Sequence, residues 1–340
     1  MTSPEATHQA KSRPKPTLRT IAQMTGFAMT TVSRALADDP RIAKTTRETI
    51  AKAAAEVGYV PDRAAQRLRT GRTNVIALVL DPHGEIIDFS GSMIAGVADV
   101  VRDTRYHLTL TQYQLGEDPM RPIRHIVQNR LADGMIFART EPQDARVKYL
   151  LEAGFPFVTH GRTNVGAHAW LDYDNAAFAR CAVTRLAEKG RRRVSIIPPS
   201  RQYSFADHMI SGFQQAVRAA GIAGEVPQDY DLNSSPEELN AKIAARLSRP
   251  DPPDGWICPG EIAAIATNAA IYDAGLRLGR DVDLVAKQTS RVFDLFRPRI
   301  DTIFEDIEAA GRGMAKALLA QIAGQDAGEL QELQAPIPEF

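Results

Sequence analysis

Residues 29 to 40, MTTVSRALADDP, place Thr30, Thr31, Ser33 and Arg34 where one short helix can present them together. Short hydroxyls beside a guanidinium fork are hydrogen-bonding groups for a polar or anionic surface, not a nucleophile with its base. The rest of the chain offers no covalent machinery either. It has no Gly-rich phosphate loop, no nucleophile elbow, no GxGxxG after the first apolar run and no metal-ligand spacing. Cys181 and Cys258 lie far apart, which argues against a disulfide framework or a zinc site and suits a reducing cytoplasm. The expectation is a binding protein with no catalytic residue, no metal and no cofactor.

The net charge of the 340 residues is zero, but the charge is segregated. Residues 1 to 72 carry thirteen Lys/Arg against six Asp/Glu, and residues 73 to 340 carry twenty-eight against thirty-five. A basic head suits a polyanion, while the acidic body has another task. The polar, Pro-rich start, MTSPEATHQAKSRPKP, reads as a disordered arm over residues 1–16 and lacks the apolar core of a signal peptide. No later stretch approaches the apolar length of a membrane span. At 44% apolar and 24% charged over 340 residues, the composition is that of a globular chain with two or more domains.

Three helices must position the opening residues. Thr17 caps LRTIAQMT, in which Leu18, Ile21, Ala22 and Met24 partly follow helical spacing, and Gly26 supplies a left-handed stop. MTTVSRALA follows almost at once with Val32, Ala35 and Leu36 inward, leaving Met29, Thr30, Ser33 and Arg34 toward the other side. TTRETIAKAAAEVG opens on Thr45 and Glu48 in capping-box spacing, turns Ile50, Ala53, Ala54 and Val57 to a core, and ends at Gly58. The pattern predicts an all-α helix-turn-helix domain over residues 17–60.

The stretch TLRTIAQMTGFAMTTVSRALADDPRIAKTTRETIAKAAAEVGYVPDRAAQRLRTGRTNVIALVL, with TVSR, TRE, GY-x-P and RTGRT in order, closely resembles the amino-terminal signature of the LacI/GalR family of bacterial transcription regulators. The resemblance implies that the second helix enters the DNA major groove. Met29, Thr30 and Arg34 then occupy base-contact positions, with Arg34 reading a guanine. Thr31 and Ser33 offer hydroxyls to phosphates, and Thr17 does likewise at the first helix N-terminus. Ala28 and Ala43 depart from the family, which often has a capping Ser there; each absent cap is worth about 1 kcal/mol.

PDRAAQRLRTGRT, residues 61–73, describes a linker helix of barely two turns, too short to persist alone. The resemblance makes it the hinge helix, which pairs with its copy in a second subunit and wedges Leu68 into a minor-groove base step, with Ala65 close by and Arg63 on the DNA.

From Asn74 the grammar changes to short apolar runs alternating with helices. VIALVL, YHLTLTQY, GMIFA, FPFVTH, VSIIP, GWICP and VDLVA read as buried strands of doubly wound parallel sheets. The family's body is an α/β two-lobed, periplasmic-binding-protein-like domain, here residues 74–340, with an effector between the lobes. Ligands in such sheets sit beyond the strand carboxyl ends, so Asp81, Phe89, Ser90, His160, Tyr203, Met209, Glu261 and Gln288 are the expected effector residues. Three departures weaken inference of the ligand: Met209 stands where an arginine is usual, Pro259-Gly260 where Asn-Asp is frequent, and Lys287-Gln288 where an acidic residue is frequent. Without the arginine, a neutral sugar is expected in place of an anion.

The resulting expectation is a cytoplasmic, nucleoid-associated homodimer without a membrane segment, binding pseudo-palindromic operator DNA and repressing a carbohydrate-utilisation operon under control of a small-molecule effector. Alternatives are a co-repressor-dependent regulator with a non-sugar effector, or a cytoplasmic sugar-binding protein or enzyme on the same body. The C-terminal AGQDAGELQELQAPIPEF lacks sustained leucine heptads, which favours a dimer over a coiled-coil tetramer.

Overall fold

The computed structural model describes residues 16–60, 67, 70–80, 86–113 and 116–340. Most of the expected arm and hinge helix, including Arg63, Ala65 and Leu68, lies outside the described residues, as does Asp81. The chain divides into two compact units after Thr73.

The first unit holds three helices, α1 (Leu18–Thr25), α2 (Met29–Leu36) and α3 (Lys44–Glu56). Thr17 caps α1 by accepting the Thr20 amide, and Gly26 ends it at φ 74°. A side chain in that left-handed conformation would be strained, so glycine permits the tight passage into α2. Ile21, Val32, Ala35, Ile50, Ala53 and Ala54 form the core, with Leu18, Ala22, Phe27, Leu36 and Val57 against it. Met24, which the helical spacing grouped with Leu18, Ile21 and Ala22, is exposed. The expected Thr45–Glu48 capping box is also corrected. α3 starts at Lys44 after Ala43, so Thr45 is already inside the first turn, where its carbonyl accepts the Thr49 hydroxyl. Neither Ala28 nor Ala43 supplies a side-chain cap.

The second unit has two lobes, each built on a six-stranded sheet. The first lobe carries β1 (Val75–Leu80), α4 (Phe89–Val101), β2 (His107–Gln112), α5 (Met120–Gln128), β3 (Gly134–Phe137), α6 (Ala145–Glu152), β4 (Phe157–His160) and β5 (Ala169–Tyr173). The chain then builds the second lobe from α7 (Asn175–Glu188), β6 (Arg193–Ile196), α8 (Ser204–Ala220), β7 (Ala223–Glu225), α9 (Pro236–Leu247), β8 (Gly255–Cys258), α10 (Glu261–Asp273), β9 (Asp283–Gln288) and β10 (Asp301–Phe304). It returns to the first lobe for α11 (Ile307–Ile322) and β11 (Gln331–Gln334), and ends in the second as β12 (Ile337–Glu339). Three connections therefore join the lobes, at residues 173–175, 304–307 and 334–337.

The sheet orders are β11-β5-β4-β3-β1-β2 and β12-β10-β9-β8-β6-β7, parallel throughout except for β12 on β10. In each sheet the order reverses beside the first strand, at β1 and at β6, and this opens a crevice at the carboxyl ends. The doubly wound parallel architecture agrees with the alternation of apolar runs and helices. β5, β7, β10, β11 and β12 went unread in the sequence, being short, partly polar or at sheet edges. Helices α4 and α11 cross at Gly96 and Gly311. A Cβ on Gly311 would stand 2.7 Å from the Met93 carbonyl oxygen, so these backbones meet only without side chains. Among the described residues no helix is long and apolar enough to cross a membrane.

Candidate functional site

In the first unit, helix α2 presents the first candidate surface. Its inward stripe buries Val32 and Ala35, which turns Thr30 and Arg34, four residues apart, to solvent. Met29 at the start of the helix is 53% exposed. Thr31 and Ser33 flank the exposed face and are half-buried, and Thr17 is exposed at the start of α1. With no side-chain cap at Ala28, the amide groups at the start of α2 keep their donor capacity for an outside acceptor, and the helix dipole favours an anion there. The surface offers hydrogen-bond donors and short hydroxyls, with no buried acid or base.

In the second unit, a cleft partly open to solvent lies between the lobes at the strand ends. Phe89 and His160, both expected there, line it; their rings meet edge to face with centroids 5.8 Å apart. The other expected residues that can be described fall elsewhere. Ser90 is half-buried outside the lining. Tyr203 stands behind the wall, accepting a 3.2 Å hydrogen bond from Arg139, which does line the cleft. Met209 is fully buried in the second lobe's core with Phe178, Phe213 and Ile257, because its face of α8 packs on the sheet. Glu261 is fully buried and engaged by backbone and hydroxyl donors. Gln288 points away from the cleft, donating to Thr302 Oγ1 at 3.0 Å and Glu339 Oε2 at 2.8 Å.

The cleft instead gathers polar residues that the sequence reading passed over. Arg139 follows β3, Asp172 and Tyr173 end β5, Asn175 opens α7, Lys287 stands near the end of β9 and Glu305 follows β10. Lys287 Nζ lies 2.8 Å from Glu305 Oε2 and 3.0 Å from Asn175 Oδ1, and 4.5 Å from the centroid of the Tyr173 ring. Asp172 accepts a 2.7 Å hydrogen bond from Arg162. Both carboxylates of the described lining therefore already face cations. In the lining, the Tyr173 hydroxyl, on a residue 1% exposed, and His160 Nε2, 3.9 Å from Glu305 Oε1, have no hydrogen-bond partner among the described residues. Buried polar atoms without partners are costly, and a ligand hydroxyl can satisfy both. The available signal was positional: applying the strand-end rule to β3 finds Arg139, whereas Asp172 ends β5, a strand the sequence did not announce.

Burial holds the His160 imidazole below its ordinary value of 6.5, outweighing the opposite pull of Glu305 and Asp172; Lys287 adds to the lowering. His168 and His208 are lowered chiefly by burial as well. Below pH 6.5 the unfolded chain takes up protons that these folded imidazoles refuse, so stability falls as the pH drops. We expect His160 to contribute to a loss of stability that sets in as the pH falls through that value. Urea midpoints at pH 7.5 and 5.5 check this, and a flat or rising stability on acidification contradicts it.

Comparison with known proteins matches residues 17–62 to the bacterial regulatory proteins of the lacI family and residues 183–338 to a periplasmic binding protein-like domain. The HTH-type transcriptional regulator AglR of Rhizobium meliloti (strain 1021) is 29% identical over 326 residues, covering 93% of this chain and 90% of that protein. CelR of Thermobifida fusca, also an HTH-type transcriptional regulator, is 27% identical over 92% of this chain and 94% of its own length. Among solved structures, the lac repressor dimer bound to operator and the anti-inducer ONPF superposes with TM-score 0.81 at 18% identity, covering 96% of this chain and 98% of that one. A CelR–cellobiose complex superposes with TM-score 0.69 at 23% identity, covering 96% and 99%. These two structures share the fold.

Proposed function

We propose that this chain, whose residues 17–62 match the bacterial regulatory proteins of the lacI family and whose relatives are named HTH-type transcriptional regulators, is a DNA-binding regulator and not an enzyme, and that it represses carbohydrate-utilisation genes under control of a neutral sugar held between its lobes. The observation that carries the sugar reading is the cleft itself. Both carboxylates of its described lining face cations, while the Tyr173 hydroxyl and His160 Nε2 remain unsatisfied. A cationic ligand would compete for carboxylates already paired; a polyhydroxylated neutral one supplies the missing partners, and Phe89 and Phe205 offer apolar cover for a sugar face.

Two subunits present two copies of α2 to a pseudo-palindromic operator. In each, Arg34 reads a guanine, Met29 and Thr30 contact neighbouring bases, and Thr17, Thr31 and Ser33 hold phosphates. Arg63, Ala65 and Leu68 act at the minor groove as the paired hinge helices wedge the duplex open. Effector binding changes the relation of the lobes, and DNA and effector must then alter each other's affinity by the same factor.

Selection of bound sequences from random duplex DNA at fixed salt, with and without a panel of neutral sugars that includes cellobiose, tests the whole reading. A palindrome whose affinity a sugar changes is the expected result. Salt-sensitive binding with no preferred sequence removes the DNA-reading role, and a palindrome indifferent to every sugar removes the sugar.

A further inference from the structure

Glu261 opens α10 in the second lobe, yet its carboxylate reaches both lobes. Oε1 accepts the Thr289 amide at 2.7 Å and the Ser290 amide at 3.0 Å, with the Thr289 and Ser290 hydroxyls at 3.1 and 3.2 Å. Oε2 accepts the amide of Ile87, which precedes α4 in the first lobe, at 3.1 Å. The Thr289 hydroxyl also stands 3.2 Å from the Ile87 carbonyl oxygen, so its single proton serves either acceptor across the gap. The carboxylate is fully buried, and a charge held there is stable only with such donors around it.

The two residues before Thr289 engage the connections between the lobes. Lys287 holds Asn175, on the first connection, and Glu305, on the second, while lining the cleft. Gln288 donates to Glu339 at 2.8 Å, just beyond the third. One strand end thus touches the cleft, the connections and the bridge to Ile87.

We propose that Glu261 is an inter-lobe latch, a positioning residue that holds the cleft shut through Ile87 and Thr289 instead of touching the effector. Its regulatory consequence rests on the cleft being the effector site: a ligand that moves Lys287 shifts the strand end that carries Thr289, and the latch converts that shift into lobe opening.

The substitution Glu261→Gln isolates the cross-lobe leg. Gln keeps one acceptor for Thr289 and Ser290 but presents an amide N–H₂ to the Ile87 N–H, donor against donor. Hydrogen exchange on the full chain, without sugar or DNA, should show the Ile87 amide in peptides spanning 86–93 exchanging at least tenfold faster in E261Q, with peptides from β3 and β8 unchanged. Thr289→Val keeps the backbone donor and loses the hydroxyl, so it should accelerate the same peptide by less. Equal Ile87 exchange in folded wild type and E261Q overturns the latch; if E261Q does not fold, unchanged exchange in Thr289→Val overturns it equally. Because no ligand enters the measurement, a protein that ignores every sugar would sink the effector reading and leave this result standing.

Discussion

Arg34→Ala is expected to lower operator affinity by about 1 to 3 kcal/mol for each half-site, and by about twice that for a dimer engaging both. The side chain is exposed on α2 with Thr30 one turn before it, on the face opposite the buried Val32 and Ala35, so its loss leaves the helical core intact. A guanidinium bidentate to a guanine discriminates among bases, and its removal should relax preference at one base pair per half-site. Thr31→Val removes the hydroxyl proposed to hold a phosphate and should weaken operator and scrambled duplex alike. Competition binding at one salt concentration separates the two patterns. If Arg34→Ala weakens every sequence equally, the residue is a backbone contact and the reader lies elsewhere.

Glu305→Gln should cost about 3 to 5 kcal/mol of folding stability, the usual consequence of leaving one member of a buried ion pair behind. Lys287 and Glu305 side chains are only 7% and 5% exposed and 2.8 Å apart. Once the carboxylate charge is gone, Lys287 retains only neutral partners, the Asn175 oxygen at 3.0 Å, the Gln amide oxygen and the Tyr173 and Phe178 rings, which compensate a buried ammonium only partly. The double variant Lys287→Met with Glu305→Leu removes both charges and should recover most of the loss, because a buried pair and an apolar replacement of similar volume are close in stability. Urea unfolding of the wild type, both single variants and the double variant measures the coupling. A Glu305→Gln loss below about 0.5 kcal/mol would show that water or rearrangement screens the pair. Stability recovered without recovered sugar binding would place the pair in the effector site as well as in the fold.

The elements that were legible before the structure share one property: their information is local. The helical spacing of Ile21, Val32 and Ile50 forecast the first core, and the continuous apolar run VIALVL announced a buried parallel strand because both its faces are covered. Helix starts were less secure. Thr45 looks like a cap, but α3 begins one residue before it. Strands that form by pairing with distant segments stayed hidden: β11 lies on β5 more than 150 residues earlier, and its residues QELQ carry no apolar run. Their strand identity comes from the neighbour.

The cleft between the lobes shows where sequence reasoning stops. Gln288 was expected in it and Lys287 occupies it, because successive residues of a strand point to opposite faces and an offset of one exchanges cleft for core. Met209 failed for the helical counterpart of that reason, since its phase on α8 turns it into the sheet. Glu261 failed differently: its partners, Ile87 and Thr289, lie 174 and 28 residues away, and no spacing announces them. The sequence by itself determined the three-helix head, the alternation of the body and the likeness to the lacI family, because helix propensity, apolar period and an unbroken motif act over a few neighbours. Only the tertiary structure decided which polar side chains face the cleft, since that depends on strand register, helix phase and three chain crossings, which bring residues 139, 173, 287 and 305 to one place.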